Sequence, residues 1–97
     1  MNIKDNQLLR QFETQSPLGQ MVLEYGIQQR KLFLTKFSYA ENESQETVDT
    51  FLKSVLAIAE ERKLKVVPTH PKVAMYFRKN PECKELLPPG IKIKIML

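Results

Sequence analysis

The segment Leu64–Val67 constrains the fold of this 97-residue chain more than any other feature, because it is a short apolar run between two helical patterns. The preceding stretch, from Ser44 to Lys63, carries apolar residues at helical spacing that form one stripe. These residues are Val48, Phe51, Leu52, Val55, Leu56 and Ala59. After the segment, Pro68 ends the strand and Pro71 suits the first position of a new helix. Since a strand also precedes the first helix, the order predicts a right-handed parallel crossover.

Three further strands are predicted in the N-terminal part of the chain. They are Leu8–Gln15, Gln20–Ile27 and Lys31–Tyr39, separated by the turn signal "SPLG" and by "QQR". Their short connections predict an antiparallel meander. Residues 2–7 are interpreted as a loose end. In the polar loop that follows the third strand, Asn42 or Ser44 can cap the long helix by accepting free backbone N–H groups.

The C-terminal part predicts a second helix from Pro71, a short helix restarting at Pro81, and a final strand at Ile91–Leu97. In that last stretch isoleucines alternate with lysines, which is typical of a half-buried strand. The predicted order is therefore β-β-β-α-β-α-(α)-β. It indicates a compact α+β fold with one mixed sheet, and a single domain covering residues 1–97.

Composition narrows the class of protein. Hydrophobic residues make up 42% of the chain and charged residues 27%, a balance typical of globular proteins. The sequence contains no apolar run long enough to span a bilayer, and its first residues, "MNIKDNQLLRQF", lack the apolar core of a signal peptide. We therefore expect a cytoplasmic protein with no membrane partner. A single cysteine, Cys83, allows neither an intramolecular disulfide nor a cysteine cluster for a metal, and no metal site is expected.

Charge is unevenly distributed along the chain. Residues 1–61 contain six basic and nine acidic side chains, whereas residues 62–97 contain nine basic and two acidic ones. The basic part could face phosphate on a nucleic acid or a nucleotide-like cofactor, or it could be a solvated surface. Because the chain contains no recognisable RNA- or DNA-binding motif, nucleic acid is not the expected partner.

The stretch "LKVVPTHPKVAMYFRKNPECKELL", residues 64–87, resembles the C-terminal signature of the very small GNAT-like N-acetyltransferases. In that family a strand ends in an apolar pair and a proline, and a cysteine, an aromatic-rich helix and a phrase containing "NP" follow. The matching residues here are Val66, Val67, Pro68, Ala74, Tyr76, Phe77 and the phrase "RKNPE". Upstream, "LEYGIQQRKLFLTKF" is similar to the family's second and third strands, so that the resemblance covers about residues 8–87.

The resemblance implies a site for acetyl-CoA in a V-shaped gap between two splayed parallel strands. It implies that pantetheine pairs with the strand before the long helix, and that the diphosphate lies at the N-terminus of that helix, where free N–H groups and the helix dipole favour an anion. The cofactor-binding residues implied on this basis are Thr35, Phe37, Ser44, Gln45, Thr47 and Pro68. The implied activity is acetyl transfer from acetyl-CoA to an amine.

Two positions depart from the family pattern. The family's glycine loop at the start of the long helix is replaced by "SQETV", residues 44–48, in which Glu46 occupies a glycine position. The segment from Glu41 to Asp49 holds four acidic residues and no basic one. At the family's cysteine stands His70, a candidate catalytic base because its ordinary pKa lies near neutrality. His70 could equally be only a helix-start residue before Pro71.

Two functions therefore remain open at the level of sequence. One is a small acetyl-CoA-dependent N-acetyltransferase. The other is a non-catalytic binding or scaffold module that keeps the GNAT-like fold and has lost CoA binding.

Overall fold

The computed structural model describes residues 1–89 of the chain, so the strand predicted at residues 91–97 lies outside the described residues. The described part is an α+β domain in which a five-stranded mixed sheet packs against helices, as expected. Its elements in chain order are β1 (Lys4–Asn6), β2 (Gln11–Ser16), β3 (Gly19–Gln28), β4 (Lys31–Ser38), α1 (Gln45–Glu61), β5 (Lys65–Pro68), α2 (Pro71–Lys79) and a 3₁₀ helix (Pro81–Leu86).

The strands lie in the sheet in their chain order, β1-β2-β3-β4-β5. Adjacent strands from β1 to β4 are antiparallel. In contrast, β5 runs parallel to β4, with Leu32 opposite Val66 and Phe33 opposite Val67. The parallel pairing predicted from the strand–helix–strand order is therefore confirmed. The reason is geometric, because α1 carries the chain from the end of β4 back to the level at which β4 began.

The N-terminal residues are ordered as a strand, and the interpretation of residues 2–7 as a loose end is wrong. Within that segment Lys4 pairs with Glu13 and Asn6 with Gln11. Two side-chain contacts fix the strand: the Tyr25 hydroxyl donates to Asp5 over 2.6 Å, and the Arg62 guanidinium lies 2.8 Å from the same carboxylate. These partners are distant in sequence, and the polar stretch itself carries no strand pattern.

Element boundaries also differ from the predicted ones, and at two of them the difference exceeds one residue. The predicted first strand begins later, at Gln11, because the residues before it form the turn between β1 and β2. The long helix ends at Glu61 rather than Lys63, and its last turn contains no basic residue. Lys63 adopts a left-handed backbone conformation with φ of 59°, which ends the helix and releases the chain into β5.

The core lies between one face of the sheet and the two helices. Along β4, Leu32 and Leu34 are buried, whereas Phe33 between them is only half-buried, as expected for a sheet covered on one face. The apolar stripe of α1 is buried throughout, which confirms the periodicity argument. From α2, Val73, Tyr76 and Phe77 complete the core. No helix within residues 1–89 has both the length and the apolar character needed to cross a membrane.

Candidate functional site

The candidate site lies where β4 extends past the end of β5. Their parallel pairing ends at Leu34 and Pro68, but β4 continues to Ser38. On the other side of β4 the register with β3 shifts, since Tyr25 lies opposite Leu34 and Glu24 lies opposite Lys36. Thr35 is therefore an extra residue, a β-bulge, and bulges bend the strand that carries them. The last residues of β4 thus extend beyond β5 at the carboxyl ends of two parallel strands.

His70 follows the end of β5 and is held there by the backbone of β4. The Leu34 carbonyl accepts two hydrogen bonds, one from the Thr69 hydroxyl at 2.7 Å and one from the His70 N–H at 3.2 Å. The His70 side chain caps α2, because its Nδ1 accepts the N–H of Lys72 at 3.1 Å while Pro71 occupies the first helical position. The helix-start role of His70 is therefore present in the structure. Its imidazole also contacts the Phe37 ring edge-on, with 6.2 Å between centroids.

The surroundings of His70 favour the neutral imidazole. Burial lowers its pKa below the ordinary value, and the nearby Lys72 ammonium lowers it further. Because Nδ1 accepts a hydrogen bond, the single proton of the neutral ring lies on Nε2. His70 therefore offers an N–H donor through Nε2 in its capped state, and it would have to give up the cap in order to offer a free Nδ1 lone pair to a proton.

The lowered pKa of His70, caused by burial and by the Lys72 ammonium, predicts a pH dependence of folding stability. Since the pKa of His70 is lower in the folded than in the unfolded chain, the unfolded chain binds more protons below the ordinary pKa of 6.5, and stability falls as pH drops through that range. Above pH 6.5 the contribution of the neutral His70 to folding stability is fully present. In the variant His70→Asn, whose side chain caps helices without titrating, this loss should disappear. Urea unfolding of both proteins from pH 7.5 downwards measures the difference.

Two other groups do not obscure that measurement. Burial alone would raise the pKa of Asp5, but hydrogen bonds from Tyr25 and Arg62 outweigh burial and lower it below 3.8. Hydrogen bonds from Gln11 and Asn6 lower the pKa of Glu13 below 4.5. Both carboxylates therefore lose their stabilising contribution at more acidic pH than His70. Equal pH dependence of the wild type and His70→Asn just below pH 6.5 would contradict a lowered pKa of His70 in the folded chain.

The N-terminus of α1 faces the same end of the sheet. Ser44 is its cap, and its Oγ accepts the N–H of Thr47 at 3.1 Å and donates to the Thr47 hydroxyl at 2.9 Å. The Gln45 side chain is directed along the helix, where its amide donates to Asp49 at 2.9 Å. Glu43 accepts a 2.6 Å hydrogen bond from Ser16 at the end of β2, which ties the loop before α1 to the β2–β3 turn.

A groove of about 600 Å³ lies between the end of β4 and the first turns of the two helices. Its lining residues are Phe37, Ser38, Tyr39, Glu41, Glu43, Gln45, Val48 and Lys72. The floor is aromatic, since Phe37 packs against Tyr39 and against the buried Phe51, with centroid distances of 4.9 and 5.6 Å. The Lys72 ammonium lies 5.6 Å from the Tyr39 ring centroid, which places one positive charge beside two carboxylates.

The residues predicted for cofactor binding are only partly brought together. Phe37 and Gln45 line this groove, and Ser44 and Thr47 belong to the same helix start. Thr35 and Pro68 lie where the pairing of β4 with β5 ends, and neither residue lines the groove. Thr35 is exposed, and its hydroxyl donates to the Glu24 carbonyl at 3.3 Å.

Sequence reasoning missed Tyr39 and Lys72. A signal for each exists in the sequence, because Tyr39 follows Phe37 at strand spacing and Lys72 stands in the first turn of α2, two residues after His70.

Tyr76 and Cys83 lie away from this groove and line a separate depression of about 550 Å³ between α1, β5 and the 3₁₀ helix. Burial raises the pKa of the Cys83 thiol, and nearby carboxylates raise it further, so that the unreactive thiol form predominates. Burial likewise raises the pKa of Tyr76. Within residues 1–89 no group of histidine, cysteine and acidic side chains is arranged to hold a metal ion.

Comparison with known proteins returns no match: no family model fits the chain, and neither a curated protein nor a solved structure is significantly similar to it.

Proposed function

We propose that this protein has a GNAT-like fold and transfers an acetyl group from acetyl-CoA to an amine. The observation that carries the proposal is the continuation of β4 four residues past Leu34, beyond the end of β5, with a bulge at Thr35. Strands of this kind frame the acetyl-CoA gap in the family that residues 8–87 resemble. The order of elements, β-β-β-β-α-β-α followed by a 3₁₀ helix, is compatible with that fold.

The edge of β4 fits the pantetheine arm of such a cofactor. Beyond Leu34, no strand within residues 1–89 pairs with β4 on the β5 side. Unpaired N–H and C=O groups on a strand edge recognise another extended, amide-containing chain by adding it to the sheet. Pantetheine carries two amides, so residues 35–38 are the expected partners, with Phe37 and Tyr39 forming an apolar floor beneath its methylene groups.

The start of α1 fits the diphosphate poorly. The N–H of Thr47 is already bonded to Ser44, and the exposed Glu46 lies in the first turn. A carboxylate about 4 Å from a phosphate costs about 1 kcal/mol in water and several times more where water is partly excluded. The helix dipole contributes only about 0.3–1 kcal/mol in the opposite direction. Lys72 supplies one compensating charge, against Glu41 and Glu43 in the groove. Affinity for CoA is therefore expected to be weak.

His70 is the residue proposed to act on the reacting group. When bound, acetyl-CoA supplies an acetyl carbonyl activated as a thioester. The neutral ring of His70 carries its proton on Nε2 and contacts Phe37, which lines the groove, and such a donor stabilises negative charge as it develops on a carbonyl oxygen. A neutral imidazole at a helix N-terminus polarises a carbonyl in this way in triosephosphate isomerase. The geometry therefore favours a donor role for His70 over the base role expected from its sequence position.

The weak fit of the diphosphate gives a prediction for CoA binding. The unmodified chain should bind CoA more weakly than micromolar, and Glu46→Gln should raise the affinity about 3–10-fold by removing one charge near the phosphates. Titration calorimetry measures both values. The matched control is Glu61→Gln at the opposite end of α1, which should leave the affinity unchanged. Micromolar binding by the unmodified chain would contradict the electrostatic argument and would mean that the N–H groups and Lys72 suffice.

The proposed activity is tested by release of free thiol from acetyl-CoA in the presence of a panel of primary amines, with product identified by mass. Acetylated amine above the uncatalysed rate supports the proposal. No transfer to any amine, together with an unchanged melting temperature at millimolar CoA, would overturn it, because a ligand that binds the folded state must raise that temperature.

The second candidate function is a non-catalytic binding module that keeps this fold. The observation that favours it is the first turn of α1, which contains an acidic residue and whose Thr47 N–H is already bonded to Ser44. This turn therefore binds an anion poorly. A shift of the melting temperature with CoA discriminates between the two, since the module is expected to show none.

A further inference from the structure

A second surface lies at the end of the sheet opposite the groove. Three connections meet there: the β1–β2 turn (residues 7–10), the β3–β4 turn (residues 29–30) and the α1–β5 junction (residues 62–64). We call this surface the basic end. Backbone hydrogen bonds hold its parts to the sheet, from Tyr25 to the Arg10 carbonyl at 2.9 Å and from Lys65 to the Arg30 carbonyl at 3.1 Å.

The backbone of the basic end is strained, because residues with side chains occupy left-handed positions that favour glycine. All four non-glycine residues with positive φ in the described part of the chain lie here: Arg10 (53°), Gln29 (53°), Arg30 (63°) and Lys63 (59°). Glycine or asparagine adopts this conformation with less strain than these residues do. Three of the four are instead basic. Strain retained at particular residues is a reason to ask whether their side chains have a function.

The charges of the basic end are available to a partner. Of its arginines, Arg62 is held by Asp5 at 2.8 Å. Arg10, Arg30 and Lys63 form no ion pair with any residue between 1 and 89. Since exposed guanidinium and ammonium groups pair readily with carboxylates, this end favours an acidic ligand.

Apolar side chains are exposed among these charges. Leu8 is 90% exposed, Leu9 is 61% exposed and Ile27 is 47% exposed. Two adjoining depressions of about 250 and 330 Å³ share Arg10 and Ile27, and the second extends to the half-buried Phe33 on the sheet face away from the helices. The surface therefore combines three basic side chains that form no ion pair within residues 1–89 with two concave depressions of mixed polar and apolar lining.

We propose that the basic end binds an acidic segment of a partner protein, with its carboxylates on Arg10, Arg30 and Lys63 and an apolar side chain beside Ile27. The concave depressions favour a peptide over a flat bilayer surface, because side chains that project from a peptide can enter a concavity. The exposed leucines favour a peptide over a nucleic acid, whose backbone would leave them without apolar contacts. This surface lies away from the groove, so the proposal does not depend on the acetyltransferase activity.

The test is selection from a displayed library of random dodecapeptides on the immobilised full chain. The enriched sequences should contain several acidic residues and at least one large apolar residue. The double variant Arg10→Glu/Arg30→Glu should weaken binding of a synthesised winner about tenfold or more, whereas Lys53→Glu/Lys84→Glu, the same change of charge at exposed positions elsewhere, should not. Enriched peptides without acidic bias, or equal binding by both double variants, would overturn the proposal.

Glycine variants provide a readout that misfolding cannot imitate. Arg10→Gly and Lys63→Gly should raise the melting temperature, because glycine relieves the left-handed strain, while they weaken peptide binding. A variant that is more stable and binds unchanged would show that the charges have no such role. Vesicles containing phosphatidylserine and a single-stranded oligonucleotide are tested in parallel. Tighter binding to either one than to the selected peptide, lost in Arg10→Glu/Arg30→Glu, would also overturn the proposal in favour of that ligand.

Discussion

Replacing Phe51 by alanine should lower the free energy of unfolding by about 3–5 kcal/mol, a large fraction of the total stability of a small domain. Phe51 is fully buried on the inner face of α1, and its ring stacks on Phe37 at 5.6 Å between centroids. The substitution removes the largest side chain that α1 places in the core and leaves a cavity beneath the end of β4. Urea unfolding followed by circular dichroism measures the change.

Two further variants keep this test informative. Lys53→Ala, an exposed change on the same helix, should alter stability by less than about 0.5 kcal/mol. If Phe51→Ala does not fold, Phe51→Leu fills most of the cavity and should show a smaller loss in the same direction. A loss below about 1 kcal/mol for Phe51→Ala would mean that the site can collapse around the missing ring.

His70→Ala should reduce acetyl transfer, measured as kcat/KM, by about 10²-fold or more, which is the usual cost of removing one donor to a developing oxyanion. The reduction should appear mainly in kcat, because the proposed hydrogen bond strengthens as charge develops. The neutral Nε2–H of the capped ring is the physical reason for this expectation. Thiol release from acetyl-CoA with the best amine acceptor measures it.

His70→Asn separates catalysis from helix capping. Asparagine caps α2 as histidine does, so this variant should fold as stably as the wild type at neutral pH and still lose most activity. Full activity in His70→Asn would leave His70 with the capping role alone. Loss of activity in His70→Ala accompanied by full activity in His70→Asn would show that His70 acts only by positioning α2.

The parts of the fold that were predictable from sequence are those governed by local pattern. The stripe from Val48 to Ala59 specifies both the helix and its buried face, and Pro68 and Pro71 mark the end of β5 and the start of α2. Ser44 was one of two candidate caps, and its hydroxyl is the acceptor that Thr47 uses. These features depend on periodicity, on fixed φ at proline and on side-chain acceptors near free N–H groups, all of which are legible within a few residues.

The features that were not predictable depend on contacts distant in sequence. The strand Lys4–Asn6 forms because Tyr25 and Arg62 bind Asp5, 20 and 57 positions away. The groove joins Tyr39 to Lys72 only after α1 and β5 have folded between them. The bulge at Thr35 is a shift of register between β3 and β4, and no residue pattern in "LFLTKFS" predicts it. Topology and resemblance predicted where a candidate site would lie, and the sequence predicted the acidic start of α1, whereas the position of Lys72 and the aromatic floor required the structure.

The Asp5 carboxylate contacts Tyr25 and Arg62 at the edge of the sheet, and we call this set of contacts the clasp. It joins the outermost strand to a central strand and to the end of α1. Because its pKa is lowered by those partners, the clasp is closed at neutral pH and opens only in strong acid. Once it is open, detachment of β1 uncovers the backbone edge of β2, and an uncovered edge is a template for pairing with another chain. We therefore expect self-association of the protein to increase in strong acid, where the Asp5 carboxylate becomes protonated.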